Sequence, residues 1–98
     1  MDNQIKAVIV DDETISIDGR ILVEQGALVD ALTSALQNNP DVVLVIEPMR
    51  HDYYKGIGKV IYASQHVGFP VANLRFTTEG GEVVTFDELQ KRNPAPSE

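Results

Sequence analysis

The 98-residue chain contains no cysteine. This absence excludes disulfide bonds, thiolate metal sites and a cysteine nucleophile, and it is compatible with any compartment. No apolar run approaches the roughly 20 residues of a membrane-spanning helix, and the amino terminus lacks the pattern of a signal peptide. Basic residues are scarce: the chain has 8 lysines and arginines against 15 acidic residues, so its net charge is −7. This charge argues against nucleic acid or an anionic membrane surface as a partner.

Patterns typical of catalysis are also missing. No histidine and aspartate arrangement and no nucleophile-elbow glycines accompany the serines Ser16, Ser34 and Ser64. His51 and His66 lie far apart without a helix-spaced ligand partner, so we expect no metal site. Gly80-Gly81 is not followed by a basic helix and indicates a turn, not a phosphate-binding loop. The sequence therefore predicts a non-catalytic protein without a cofactor.

Local patterns define the first half of the chain. The apolar run Ala7–Val10 is followed by Ile15–Ile17, where apolar and polar residues alternate as in a half-buried strand. Asp18-Gly19 predicts a tight turn, because both residues tolerate positive φ. Within Gly26–Asn38 the apolar residues fall on one helical face, and Pro40 ends that helix.

The second half continues with alternating elements. Val42–Ile46 is apolar throughout, which is typical of a strand buried on both faces. A second helix is predicted over Asp52–Val67, with Asp52 as its N-cap and Gly68 just after its end. Leu74–Thr77 is the predicted last strand, and Val83–Thr85 can add a short hairpin partner.

These elements indicate a mixed sheet. The strand, helix and strand between residues 42 and 77 have the length of a right-handed crossover that joins two parallel strands. The amino-terminal strands are joined by tight turns and should be antiparallel. The sequence therefore predicts an α+β two-layer sandwich, with a mixed sheet of four to five strands and two helices on one face, in ββαβαβ order.

Two short segments, Val8–Glu13 and Pro40–Val45, resemble bacterial response-regulator receiver domains. The acidic pair in the first segment could hold Mg²⁺. However, Thr14–Arg20 indicates a strand and a turn where receiver domains have a helix, and Ile46 stands where the phosphorylated aspartate should be. We interpret the acidic residues as a solvated turn, and a degenerate receiver-like signalling domain stays as an alternative.

A second resemblance covers Ile5 to Thr78. It rests on the order and spacing of Ile9-Val10-Asp11, Ile15–Gly19, Leu28–Leu36, Pro40-Asp41 before Val43–Ile46, Arg50, Tyr54, Val67-Gly68 and Asn73–Thr78. Together these segments resemble the periplasmic domain of the ExbD/TolR family, small subunits of proton-driven motor complexes in Gram-negative envelopes. The chain departs from the family at Met49, where an acidic residue is common, and at Tyr53 and Lys55, where proline and glycine are common.

The resemblance implies a transport function. Such domains dimerise above an ExbB/TolQ-like channel subunit and pass proton-driven motion to a TonB/TolA-like protein. It also implies an amino-terminal membrane anchor with an essential aspartate, which no residue of this chain matches. We therefore expect a periplasmic domain, anchored to the inner membrane in the full-length protein. Residues 1–5 would be a linker remnant, 6–85 the domain and 86–98 a carboxyl-terminal extension.

Partner contact is expected by β-augmentation, in which an edge strand accepts an extended segment from a partner or from a second copy. The predicted edge strand comprises Leu74, Arg75, Phe76 and Thr77. Arg50 and Tyr54, in the link to the second helix, are further candidates for partner binding, and peptidoglycan is a second candidate partner. A free-standing soluble adaptor with the same fold is the other alternative.

Overall fold

The computed structural model describes residues 4–50, 52–78, 80–86 and 88. Its elements follow in the order β1 (Gln4–Ile9), β2 (Ile15–Ile17), β3 (Arg20–Leu22), α1 (Gln25–Asn38), β4 (Val43–Pro48), α2 (Tyr54–Val67), β5 (Leu74–Thr77) and β6 (Val83–Thr85). A 3₁₀ turn, Val71–Asn73, leads into β5. Within this part of the chain, neither α1 nor α2 has the length and apolar character to cross a membrane.

All six strands form one mixed sheet in the order β3-β2-β1-β4-β5-β6. β1, β4 and β5 run parallel, and the pairs β1–β2, β2–β3 and β5–β6 are antiparallel. The predicted α+β fold with a mixed sheet and two helices is confirmed, as is the parallel pairing of β4 with β5. The sheet has six strands, not four to five, because Arg20–Leu22 forms a further strand of its own.

The hairpin turn between β2 and β3 fixes their register. Asp18 and Gly19 both have positive φ, 52° and 80°, as the central residues of a type I′ turn require. This turn places Ile17 opposite Arg20 and Ile15 opposite Leu22. The predicted tight turn is therefore present, and it leads directly into a partner strand.

One face of the sheet forms the core. Alternate residues on this face pack against the buried sides of both helices, and the largest of them are Ile9, Ile15, Ile17, Leu44, Ile46, Leu74 and Phe76. α1 contributes Leu28 and Leu32, and α2 contributes Val60 and Ala63. Because strand side chains alternate between faces, residues one position away point to the opposite face. The result is two layers, with the helices side by side on the core face.

The opposite face of the sheet is more polar. Lys6 and Glu47 form an ion pair of 3.0 Å on it. Val45, only 3% exposed, lies on this face between Lys6 and Arg75 of the neighbouring strands. Val43 is half-buried. The prediction that β4 is buried on both faces is therefore confirmed at Val45 and only partly at Val43.

The helix boundaries differ slightly from the prediction. α1 begins at Gln25, one residue early, and ends at Asn38. α2 begins at Tyr54, so its N-cap is Tyr53 and Asp52 stands one residue too early to cap it. The Asp52 carboxylate accepts a hydrogen bond from Arg50. Gly68 has a φ of 90° and ends α2 as predicted. The N–H of Phe69 donates to the Ser64 carbonyl, closing the last turn.

The domain boundaries also shift at the amino terminus. Gln4 and Ile5, predicted to belong to a linker, are part of β1 and pair with Val43 and Leu44. At the other end, Phe86 packs against the core. Of the predicted extension 86–98, the structure describes residues 86 and 88 only.

Candidate interaction site

The predicted edge strand is an interior strand. β5 pairs with β4 on one side and with β6 on the other, so its backbone groups are not free. Leu74 and Phe76 are buried in the core, whereas Arg75 and Thr77 point to the opposite face of the sheet. The prediction of an edge at Leu74–Thr77 was wrong, because the hairpin with Val83–Thr85 covers it. Within the described ranges, the outermost strands are β3 and β6.

The outer side of β3 offers free backbone groups. In a two-residue hairpin the residues flanking the turn, here Ile17 and Arg20, form a hydrogen-bonded pair, and the next pair along is not hydrogen-bonded. That next pair is Ser16 with Ile21, so the N–H and C=O of Ile21 point away from β2. The Ile21 side chain is 60% exposed. In the part of the chain that the structure describes, no strand pairs with this outer side.

A groove of about 490 Å³ lies between the β2–β3 hairpin and α1, and it extends under the start of β1 at Gln4 and Ile5. Its strand side includes Ile17 and Leu22, and its helix side includes Ala27 and Ala31. These alanines keep the groove open, because their side chains end at the β-carbon. Arg20, Asp18, Asp30 and Ser34 add polar groups to its lining. A groove beside the open edge of a strand is the arrangement that binds extended segments. The edge supplies backbone hydrogen bonds, and the groove accommodates alternate side chains of the bound segment.

β3 is held in place by a lysine of α2. The ammonium group of Lys59 donates to the Glu13 carbonyl at 3.2 Å and to the carbonyl of Val23, which directly follows β3. The side-chain amide of Gln25 in turn donates to the Lys59 carbonyl at 3.3 Å. These contacts tie α2 to the turn after β1 and to the connection between β3 and α1. They therefore hold the end of β3 and the start of α1, the two elements that continue into the groove, against α2.

The acidic turn after β1 is organised by Asp11. Its Oδ1 accepts hydrogen bonds from the backbone N–H groups of Glu13 and Thr14, both at 2.8 Å. The hydrogen bond from Glu13 is the main reason why the pKa of Asp11 lies below its usual value, and the bonds from Thr14 and the charge of Lys59 act in the same direction. The carboxylate thus closes the turn that leads into β2. Where a receiver domain has a helix, this turn is followed by an antiparallel strand. Ile46, which stands where a receiver domain has its phosphorylated aspartate, is fully buried in the core.

Two of the predicted partner-binding residues meet at a second cavity. It measures about 610 Å³, lies at the carboxyl ends of β4 and β5, and is lined by Glu47, Met49, Arg50, Asp52, Thr77 and Thr78 among others. Arg50 donates to the Asp52 carboxylate at 2.9 Å, and its guanidinium lies 5.7 Å from the centre of the Tyr53 ring. Both charged groups are exposed, so this pair contributes little to stability.

The remaining candidates are dispersed. Tyr54 opens α2 with its side chain 76% exposed, away from the lining of either cavity. The guanidinium of Arg75 donates to the carbonyls of Ala72 and Leu74 and so folds back on its own strand. His51 lies outside the described residues. Among the residues that are described, no cluster of three carboxylate or imidazole groups is placed to hold a metal ion.

The sequence interpretation missed β3, although a signal was present. Asp18-Gly19 predicted the turn, and the apolar Ile21-Leu22 after it could have been assigned as the returning strand of a hairpin. That assignment would have supplied a second candidate edge.

Comparison with known protein families, with curated proteins and with solved structures finds no match to this chain. The fold and the site together define an α+β domain in which the outer edge of β3, unpaired among the described residues, lies beside a groove. A surface of this kind is suited to binding an extended polypeptide segment.

Proposed function

We propose that this chain is a non-catalytic interaction domain that binds an extended partner segment by strand addition at β3. The observation that carries the proposal is the outward N–H and C=O of Ile21, next to the groove between the β2–β3 hairpin and α1. The partner segment would extend the sheet and place every second side chain over Ala27 and Ala31. Because the groove contains Arg20, Asp18 and Asp30 beside these small apolar residues, an alternating apolar and polar segment fits it best.

We further propose that the domain serves a proton-driven transport complex of the ExbD/TolR type. The proposal is supported by where the resembling segments fall in the fold. Ile15–Gly19 is β2 with its hairpin turn, Arg50 and Tyr54 bracket the link before α2, and Val67-Gly68 is the end of α2. Among these positions, Asp18, Gly19 and Gly68 have positive φ, which restricts the residue type.

In this complex the domain would be periplasmic and attached to the inner membrane by an anchor in the full-length protein. A homodimer would stand above an ExbB/TolQ-like channel subunit and pass its motion to a TonB/TolA-like protein through the β3 edge. Peptidoglycan would be a further contact.

The first experiment maps the partner surface. The ¹⁵N-labelled domain is titrated with the TonB/TolA-like periplasmic protein encoded in the same genome. We expect the largest amide shift changes at Arg20, Ile21 and Leu22, with smaller changes at Ala27 and Ala31 across the groove. Changes confined to β6, or to the cavity at Arg50 and Thr77, would overturn the β3 assignment. No binding at millimolar concentration would overturn the proposed partner class.

A second observation tests the membrane setting. The complete gene is read for an apolar span of roughly 20 residues with one carboxylate ahead of the domain. The motor-subunit proposal requires this span. A complete gene product without such a span would instead support the free-standing adaptor with the same fold.

A further inference from the structure

The outward face of α2 carries an unusual line of residues. Tyr54, Gly58, Tyr62 and His66 recur at every fourth position, so each is a surface neighbour of the next on a row that winds slowly around the helix. All four are exposed, and the side chains of Tyr54 and Tyr62 are 76% and 62% exposed. α2 contains no acidic residue, although the chain as a whole carries a net charge of −7. This face therefore combines aromatic area with an absence of the negative charge found elsewhere.

Gly58 makes a notch between the two tyrosines. A β-carbon built at Gly58 would meet no other atom within 4 Å, so packing inside the protomer does not require glycine there. Gly56, two residues earlier on the buried side of the helix, is different, because a β-carbon there would collide with Ile9. Glycine in a helix interior is unfavourable compared with alanine. A glycine without an intramolecular role thus leaves a gap that another molecule can fill.

Tyr62 forms a ridge beside this notch, and a neighbouring ring holds it in place. The rings of Tyr62 and His66 stack with 6.1 Å between their centres and 25° between their planes. This contact restricts the Tyr62 side chain before any partner arrives, which lowers the entropy lost on association. Notch and ridge are four residues apart, about 6 Å along the helix at 1.5 Å per residue.

We propose that a second copy of this chain docks on α2, with the two helices antiparallel about a two-fold axis between Gly58 and Tyr62. In this arrangement each Tyr62 fills the partner copy's Gly58 notch, and Tyr54 and His66 lie at the two ends of the contact. The same contact is made twice, as an isologous interface requires. This register brings all four residues of the line into the contact, whereas an axis between Tyr54 and Gly58 would leave Tyr62 and His66 outside it.

The charges of α2 favour the same arrangement. Lys55 is exposed on the outward face, and in the antiparallel register it lies opposite Gln65. The two Lys55 ammonium groups are then about ten residues apart along the axis, roughly 15 Å. A parallel pair would place them side by side. Because α2 has no carboxylate, two copies meet here without the acid-to-acid repulsion expected of their other surfaces.

This inference names the contact surface of the homodimer in the proposed function and rests on that proposal for its membrane setting. The α2 line shares no residue with β3 or with its groove. A dimer formed through α2 would therefore leave the β3 edge available to a partner. Anchoring two copies in one membrane raises their local concentration, so a weak contact suffices.

Cross-linking tests the register, because the chain has no cysteine of its own. Gly58→Cys protein is mixed with Tyr62→Cys protein under mild oxidation. We expect a covalent heterodimer in at least fivefold higher yield than from Gly58→Cys mixed with Lys55→Cys. Position 55 is equally exposed but lies about seven residues, or 10 Å, from the facing site, beyond the Cα separation of a disulfide. Equal yields in the two mixtures would overturn the proposal.

Filling the notch provides an independent test. Gly58→Leu is expected to weaken self-association at least tenfold in sedimentation equilibrium, whereas Gly58→Ala is expected to weaken it less. Circular dichroism of both variants checks that the helix is intact, and each substitution faces open space. Unchanged self-association of a folded Gly58→Leu variant would overturn the proposal, as would a wild-type domain that stays monomeric at millimolar concentration and shows no cross-linking preference.

The partner titration separates this inference from the proposed function. Gly58→Leu is expected to keep partner binding at β3. Partner binding without the α2 cross-link would leave strand addition standing and remove the α2 dimer. The α2 cross-link without any partner binding would do the reverse.

Discussion

Gly56 of α2 lies so close to Ile9 of β1 that a β-carbon at position 56 would stand 2.5 Å from Ile9 Cγ2. The same β-carbon would be 2.9 Å from the backbone carbonyl oxygen of Asp11. The carbonyl belongs to the turn that Lys59 also contacts. The absence of a side chain at Gly56 is thus what lets α2 approach the end of β1.

Replacing this glycine should destabilise the domain. Gly56→Ala gains helix propensity, but the clash with backbone is expected to dominate and to cost about 1–3 kcal/mol in the free energy of unfolding. Gly58→Ala is the matched control on the same helix and should stabilise the protein by up to about 1 kcal/mol, because its β-carbon meets nothing. Urea unfolding measures both. A shift of the two variants in the same direction would contradict this packing.

The free edge of β3 can be tested without a partner. Ile21→Pro removes an N–H that points outward, so we expect the free energy of unfolding to change by less than about 1 kcal/mol. Ser16→Pro is the matched variant on β2, whose N–H faces β1. It should cost about 3 kcal/mol or more, because it removes a hydrogen bond of the sheet. Equal destabilisation by the two prolines would show that the assigned hydrogen-bonding pattern is wrong.

Partner binding should respond to the same substitution. Ile21→Pro is expected to weaken binding of the proposed TonB/TolA-like partner about tenfold, since one backbone hydrogen bond is lost and the proline ring occupies the edge. Ile21→Thr keeps the N–H and should bind within about threefold of the wild type. Isothermal titration calorimetry provides the affinities. If the threonine variant loses as much affinity as the proline variant, the side chain and not the backbone makes the contact.

Lys59 should contribute to stability through its carbonyl contacts. Lys59→Met keeps most of the aliphatic stem but loses the hydrogen bonds to Glu13 and Val23. We expect a loss of about 1–2 kcal/mol and faster amide exchange in β3. Lys55→Met, an exposed position on the same helix, should stay within about 0.5 kcal/mol of the wild type. Thermal and urea unfolding give the comparison, and an equal effect of the two variants would exclude this role of Lys59.

The Asp11 turn predicts a specific pH dependence. Because folding lowers the pKa of Asp11 from 3.8, its ionised form stabilises the native state above that pH, and this contribution is lost as the pH falls through the lowered pKa. Asp11→Asn keeps a hydrogen-bond acceptor but cannot titrate. The difference in unfolding free energy between wild type and variant should therefore be constant above about pH 5 and shrink below about pH 4. A difference that does not change with pH would contradict the assigned cause.

Much of the fold could be predicted because its signals are local. The alternation at Ile15–Ile17, the turn at Asp18-Gly19 and the left-handed residue at Gly68 each depend on a few neighbouring residues. The parallel pairing of β4 with β5 followed from the length of the crossover between them. The burial of Leu74 and Phe76 likewise follows from period-two alternation once β5 is placed against the helices.

The candidate site depended on contacts that are distant in sequence. Whether Leu74–Thr77 is an edge was decided by its pairing with Val83–Thr85, and edge status belongs to the completed sheet, not to a strand. Arg50 and Thr77 meet only because β4 and β5 end at the same side of the sheet. Asp52 had the residue type of a helix cap but is paired with Arg50 instead.

The sequence by itself determined the two helices, most of the strands and the places where the chain turns, since backbone preferences and side-chain periodicity act over a few residues. Only the tertiary structure decided which strands lie at the edges of the sheet and which glycine is needed for packing. Gly56 and Gly58 are equivalent as sequence, yet one contacts Ile9 and the other faces open space. The physical reason is that close packing and strand pairing join residues far apart in the chain. A local sequence pattern does not specify which distant residues come into contact.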